Sequence, residues 1–549
     1  MARSGLNRRS VWLLAAILVL GALLRLRGID WGLPTAEVPH APYHPDETWA
    51  MSVLRELDPA HLRLNAVGAH REGTLAYYLW MFGALVLQAF GAISTSLPSI
   101  AEYGTDYRRV LLAGRVVTAA LDLGSVALVF LGLHRVCRGL TAPTLGALAL
   151  AIAPFEVVYA HYMRTHIVAN FFLTLAIFLS LDLAIGDGGK RRLAAIGLAC
   201  GFAAASKYPA GVVALVPVMF LIARRIPYRD LLLASAWIVG FALLGLFLAD
   251  PLLFLNFQDA RAALAEQGSY VATQEFRWYS LFDFSRLFVF FKYLIPYGTL
   301  PALWVLFYAS LAVAFVGRST RRISIPLALF VFVFLYPMAK GYFSAPVFIR
   351  AALQIFPVLA FLVGLAWNEL ESSSRRRVLV PAVAPVVTGI LLASLAYDLG
   401  YTAAMAHGDA RDQLHAFLKA ESGSRAVTLG YYGGGLDYFL VKPAIETIPI
   451  ARVRTVTDTA RLRAGLEPEL DFLVLTAFDP GNEDAVRSEI RFLEAGGRYR
   501  LVRVFSNPVR AFGVSFDYPR NPHDLQYPLP KLYLLTFNKS QAALPAQVE

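Results

Sequence analysis

Eleven apolar runs of about membrane-span length occupy the first 400 residues: 11–28, 112–133, 143–160, 167–185, 192–206, 209–223, 231–249, 299–316, 323–339, 350–367 and 378–397. Lipid offers no partner to an unpaired backbone N–H or C=O, and crossing its core of about 30 Å takes about 20 mostly apolar residues in a helix. Such a succession restricts the chain to a bundle of spanning helices. Composition agrees: 57% of the 549 residues are hydrophobic and only 16% are charged, against roughly 25% charged in a soluble chain. The first run, "SVWLLAAILVLGALLRLRGI", follows Arg3, Arg8 and Arg9 and leads into Arg25, Arg27 and Trp31 without a small-residue cleavage site. It reads as an uncleaved span, not a removed signal.

Charge orients the spans. Arg135/Arg138, Lys190–Arg192, Arg224/Arg225/Arg229, Arg318/Arg321/Arg322 and Arg375–Arg377 each follow an even-numbered run. A cytoplasmic N-terminus puts all of them inside, as the positive-inside rule requires. The further stretch 75–92, "LAYYLWMFGALVLQAFGA", would invert every later loop if it crossed, so it reads as an interfacial helix carrying Tyr77, Tyr78 and Trp80. Residues 29–111 then form a large outer loop and 250–298 a second outer region, with an interfacial segment "FSRLFVFFKYLIPYG". Most of the net charge of +11 can be assigned to loops on the cytoplasmic side, so no nucleic-acid partner is expected. Cys137 and Cys200 lie in separate hydrophobic stretches and suggest neither a disulfide framework nor a zinc site.

From about residue 400 the pattern changes. "RAVTLGYY", "DFLVLTAF" and "RYRLVRVF" read as strands, and "NEDAVRSEIRFLEAG" reads as a helix with Asn482 as N-cap and Gly496 at its end. The expected fold is a polytopic α-helical membrane domain, 1–399, followed by an extracytoplasmic α/β domain, 400–549.

Chemistry-bearing residues concentrate in the outer segments. "APYHPDETWA" places His44, Asp46 and Glu47 just beyond the first run. A carboxylate near an interface loses hydration and becomes a stronger base. The competing reading is a helix that starts at Pro45, with both acids complementing its dipole. Five cations fall near outer span ends: Arg115, Lys207, Lys292, Lys340 and Arg350. Phosphate is the natural partner of such groups, and snorkelling to headgroups is the alternative. "VYAHYMRTHIVANFF" brings His161, Arg164 and His166 together. With His44 and Asp46 these histidines would be the residues to hold a divalent metal, although no spacing demands one and no cofactor is expected. "GYYGGGLDY" is not a nucleotide-binding fingerprint and reads as a strand–turn–helix junction.

The motif "YHPDE" at 43–47 after span one, followed in order by "EGTLAYYLWMFGAL", "LAGRVVTAALDLGSVALVFLGLHRV", "GFAAASKYPAGVVALVP" and "IRAALQIFPVLAFLVG", resembles GT-C membrane glycosyltransferases. The nearest branch is glycosyltransferase family 39, the protein O-mannosyltransferase and aminoarabinose-transferase-like group. The tail "NPHDLQYPLPKLYLLTFNK" is similar to the end of the group's outer domain. The resemblance implies a polyprenyl-phosphate sugar donor, transfer on the extracytoplasmic face, and a glycan, lipid or protein acceptor. It implies Asp46 as base with Glu47 beside it, and Lys207 and Arg350 at the donor phosphate. Tyr43, His44, Arg115, His161, His166, Tyr208 and Lys340 complete the expected substrate-binding set. One departure stands out: many members carry an acid where this chain has His166 in "AHYMRTH", which weighs against a two-carboxylate or metal-bound scheme. A flippase or transporter of a lipid-linked sugar is the alternative reading. Against it, the sequence shows no inverted repeat.

Overall fold

A computed structural model describes residues 6–35, 40–186, 189–271, 302–341, 349–423, 427–432, 450–456, 470–477, 482–516 and 523–537, with 288, 291, 292 and 296 between them. The chain divides into two compact units. One comprises Met1–Ile29, Trp49–Ile100 and Arg109–Leu399; the other comprises Asp30–Thr48, Ala101–Arg108 and Gly400–Glu549. The first outer loop is thus shared, and Asp46 and Glu47 belong to the second unit.

The first unit is helical. Among the described residues, six helical stretches are long and apolar enough to cross a membrane, including Arg8–Leu26, Thr105–Val136, Thr165–Ile185, Tyr228–Ala249 and Ala352–Ser372; the sixth, Arg376–Glu421, runs on into the second unit. The described residues of the eleven runs fall mainly on a helix or on consecutive helices, and proline interrupts some of them. Run 143–160 becomes Thr141–Ala151 and Pro154–Tyr159. Pro154 has no N–H for a bond to the preceding turn but suits the first position of a new helix. Run 209–223 opens as the 3-10 turn Tyr208–Ala214, with Pro209 inside it, before helix Leu215–Ala223. Run 350–367 opens as the 3-10 segment Ile349–Ile355 before Phe356–Ser372. Arg350 therefore sits on a 3-10 turn that leads into its span. The stretch at 75–92 forms helix Leu75–Ala89.

A polar cluster ties this unit together. Arg25 is fully buried and pairs through Nε with Asp122 at 2.5 Å. Its Nη1 donates to Ala151 O at 2.8 Å and Gly21 O at 3.2 Å. Asn170 donates to Glu156 Oε1 at 2.9 Å and to Leu353 O at 3.2 Å. A charge in an apolar bundle is tolerated only when it is paired and hydrogen-bonded. Arg25 meets both conditions, and the cluster joins five helices to the segment that carries Arg350.

The second unit holds strands β1 (Val427–Tyr432), β2 (Ile450–Val456), β3 (Phe472–Ala477), β4 (Tyr499–Phe505), β5 (Arg510–Ala511), β6 (Val514–Ser515) and β7 (Lys531–Phe537). The five-stranded sheet runs β2-β1-β3-β7-β4; β1 is parallel to β2 and β3, and β7 is antiparallel to β3 and β4. Helix Ala410–Ser422 packs Leu414 and Leu418 against Leu429 and Val474 on one face. Helix Asn482–Ala495 packs Val486, Ile490 and Leu493 against Leu473 and Leu535 on the other. Cover on both faces is why β3 is buried at every position and is apolar at all but Thr476, with no alternation. Asn482, expected as an N-cap, is the first helical residue. Residues 433–438 of the glycine-rich stretch and most of "FSRLFVFFKYLIPYG" lie outside the described residues.

Candidate anion-binding site

The helical unit builds a charged site where three chain segments meet. Residues 67–74 form a 3-10 turn, Val67–Arg71, continued by Glu72, Gly73 and Thr74. Gly73 has φ +130°, and a Cβ there would come within 2.3 Å of Ala205 O, so only glycine lets this strand of chain lie against the end of helix Lys190–Ser206. Tyr208 N–H donates to Glu72 O at 3.2 Å, and Thr74 Oγ1 donates to Ala249 O at 2.9 Å. Tyr208 OH reaches Asp250 Oδ2 at 3.1 Å, and the His70 ring lies 3.6 Å from Asp250.

These anchors place the Glu72 carboxylate between two cations. Lys207 caps helix Lys190–Ser206 and its Nζ lies 3.3 Å from Glu72 Oε1; Arg164, at the N-cap of helix Thr165–Ile185, approaches the same oxygen at 3.3 Å. Thr165 donates its hydroxyl to Glu72 Oε2 at 2.7 Å. The Arg164, Lys207 and Glu72 side chains are only 7%, 9% and 16% exposed. Burial alone would push the Glu72 carboxyl up; the Arg164 guanidinium, the Lys207 ammonium and the Thr165 bond outweigh it and hold it well below the usual carboxylate range. The carboxylate also faces the N-terminal end of helix Thr165–Ile185, where exposed N–H groups favour an anion. Two cations against one carboxylate leave a surplus of one positive charge. His166 stands in the field of Lys207, Arg164, Glu72 and Arg350. Thus Lys207 and Arg350, expected near one phosphate, share a neighbourhood with His166.

Glu72 was not singled out in the sequence. Its signal is faint: one acid before a glycine in "HREGTLAYY", with ionic partners 92 and 135 residues away.

The remaining expected site residues are placed as follows. Asp46 and Glu47 occupy the first turn of helix Pro45–Glu56, so the capping geometry holds whatever else they do. Glu47 is fully buried. Tyr43 is 2% exposed; its hydroxyl donates to Asp412, and the Arg411 guanidinium lies 4.0 Å over its ring. Burial and the nearby Asp412 and Asp409 push its phenol well up. The buried His44 ring packs on Tyr527 at 4.5 Å. Arg115 is buried and donates to Ile29 O at 2.7 Å. His161 faces two carbonyls, Val157 O at 2.7 Å and Arg27 O at 3.0 Å. Burial lowers its pKa to about 4, so the ring is neutral near pH 7 and donates to one of the two carbonyls at a time. Lys292 is exposed. Lys340 lies near the end of helix Arg321–Gly341, and its side chain is outside the described residues. Among the described residues, no group of three or more His, Cys, Asp and Glu side chains is arranged to hold a metal ion.

The spanning helices and the C-terminal mixed sheet define a multi-pass helical membrane protein with an α/β region. No protein-family model and no curated protein matches the chain. Among solved structures it is similar to ArnT from Cupriavidus metallidurans bound to undecaprenyl phosphate, with 14% identity, 97% of this chain and 99% of that chain covered, and a TM-score of 0.48. It is similar to the oligosaccharyltransferase AglB from Archaeoglobus fulgidus in complex with an inhibitory peptide and a dolichol-phosphate, with 12% identity, 98% and 75% covered, and a TM-score of 0.47. It is also similar to the Saccharomyces cerevisiae protein O-mannosyltransferase Pmt1-Pmt2 complex bound to the sugar donor, with 17% identity, 47% and 35% covered, and a TM-score of 0.35. All three are GT-C glycosyltransferases.

Proposed function

We propose that this chain transfers a sugar from a polyprenyl-phosphate donor to an acceptor hydroxyl on the extracytoplasmic face, with inversion at the sugar C1. The observation that supports this most is the surplus of positive charge at Arg164, Lys207 and Glu72, largely out of water, with both cations at the ends of apolar helices. A surplus held there favours an anion that arrives from lipid, and the phosphodiester of a polyprenyl-phosphate sugar has that chemistry, as does the monoester released.

In this scheme the Asp46 carboxylate takes the acceptor's proton as the acceptor oxygen bonds to C1. The bond from C1 to the phosphate oxygen breaks, and the phosphate keeps the electron pair. Lys207 and Arg350 stabilise the charge that builds on the phosphate oxygens. Glu47 positions Asp46. No step runs through a metal. The N-terminus is cytoplasmic, residues 1–399 carry the transfer, and 400–549 lie outside the cell membrane.

The test is purified protein with a labelled polyprenyl-phosphate sugar. Release of free polyprenyl phosphate, dependent on acceptor and lost in Asp46→Asn and Lys207→Ala, is the expected result. A protein that moves the labelled lipid across a bilayer and leaves the glycosyl bond intact is a transporter, and the proposal fails.

A further inference from the structure

The short hairpin β5–β6 carries a feature that folding does not explain. Its register pairs Arg510 with Ser515 and Ala511 with Val514, leaving Phe512 and Gly513 as a two-residue turn. Both have positive φ, +52° and +79°. Such a turn favours Asn-Gly or Asp-Gly, because a bulky L-residue is disfavoured in the left-handed region. Here the strained position holds a phenylalanine that is 84% exposed, with Val514 55% exposed beside it and Arg510 also at the surface. The strain gains no core contact in return.

The hairpin is a fixed projection. Phe516 N–H donates to Val509 O at 2.9 Å, closing its base, and Val509 is buried. The backbone at Arg510 lies so close to Gly400 that a Cβ on that glycine would meet Arg510 O at 2.9 Å and Val509 Cγ1 at 3.1 Å. Asn507 donates to Gly408 O at 3.1 Å. Gly400 lies three residues beyond 378–397, the last apolar run, on the same helix, Arg376–Ala406. The base of the hairpin therefore lies against the residues that follow this run on the same helix.

We propose that the Phe512–Gly513 tip enters the headgroup layer of the leaflet at which helix Arg376–Ala406 emerges, with Phe512 and Val514 among the upper acyl carbons and Arg510 on lipid phosphate. The occupant is the phospholipid surface itself. Aromatic rings settle at that depth, and a guanidinium one strand position back meets phosphate. This inference is independent of the transferase reading.

The test uses the full chain in nanodiscs of phosphatidylethanolamine and phosphatidylglycerol, with Cys137 and Cys200 replaced. A single cysteine at Phe512 carries an environment-sensitive fluorophore, and Ser488→Cys, exposed on helix Asn482–Ala495, is the control. Expected at 512 are blue-shifted emission and its loss when the lipid bears a nitroxide, with neither change at 488. A second variant separates strain from packing. Asn adopts the left-handed conformation readily, so Phe512→Asn raises the thermal midpoint in detergent by about a degree or two. It also reduces nitroxide quenching of a fluorophore at Val514→Cys. A lowered midpoint would mean that the ring packs within the protein. Emission at 512 that is blue-shifted but untouched by lipid nitroxide would mean a protein partner or a second copy. Equal quenching at 512 and 488 would show no specific insertion. Each of these three results overturns the proposal.

Discussion

Replacing Glu72 with Gln keeps the size and the acceptor for Thr165 but removes the negative charge between Arg164 and Lys207. Each cation lies 3.3 Å from Glu72 Oε1. At that distance and an effective dielectric constant near 20, the Coulomb attraction is about 5 kcal/mol for each pair before desolvation is subtracted. Breaking a largely buried pair on one side leaves uncompensated charge, and with some exposure at Glu72 the net loss of stability is about 2–4 kcal/mol. The same substitution raises the site's surplus from one positive charge to two. An incoming phosphate no longer competes with a resident carboxylate, and its binding tightens by about tenfold, or about 1.4 kcal/mol. Glu72→Gln is therefore expected to be less stable and yet to bind polyprenyl phosphate better. Lys207→Gln is expected to bind it worse. Thermal unfolding in detergent, with and without polyprenyl phosphate, and a direct binding titration measure both quantities. Weaker phosphate binding in Glu72→Gln, or wild-type stability, would refute the account. The pH dependence carries a sign as well. Because the Glu72 pKa is depressed, its contribution is fully present above the ordinary glutamate value of 4.5 and is lost only as pH falls through the depressed value. The stability gap between wild type and Glu72→Gln should therefore persist at pH 5 and close only in stronger acid.

Four further outcomes follow from the same structure. Asp46→Asn should reduce transfer by roughly 100-fold or more if Asp46 is the base, and Glu47→Gln should cost less; near-normal turnover in both leaves them as helix-end acids. Arg25→Met alone should destabilise the helical unit by about 3–5 kcal/mol, and Arg25→Met with Asp122→Leu should recover much of it, in thermal unfolding of the detergent-solubilised protein. Glu483, with its pKa lowered to about 2 by bonds from Lys531 and Arg487 that overcome burial, should support the C-terminal unit above pH 4.5 and progressively less as pH falls toward 2, a dependence that Glu483→Gln abolishes. A cysteine at Ser488 should react with an impermeant thiol reagent from outside intact cells, and one at Ser374 should not.

The helical runs, the charge bias and the change of pattern near residue 400 were legible because each is a local property. A span is recorded in about 20 consecutive residues, and a both-faces-buried strand such as Phe472–Ala477 shows as a hexamer apolar at all but Thr476. Lys207 and Arg350 stand out in the sequence for a related reason: a cation beside an apolar run is conspicuous wherever it points. Only tertiary structure revealed that Lys207 and Arg164 flank Glu72. An ion pair is set by distance in space, and nothing in "HREGTLAYY" encodes partners 92 and 135 residues further on. The same holds for Arg25, Asp122, Glu156 and Asn170, which look like isolated polar interruptions of apolar helices until packing brings them together. It also holds for Phe512, which reads as one more aromatic in a strand-rich segment. Its positive φ and exposed ring depend on the pairing of Arg510 with Ser515, and a register of that kind exists only in the folded chain.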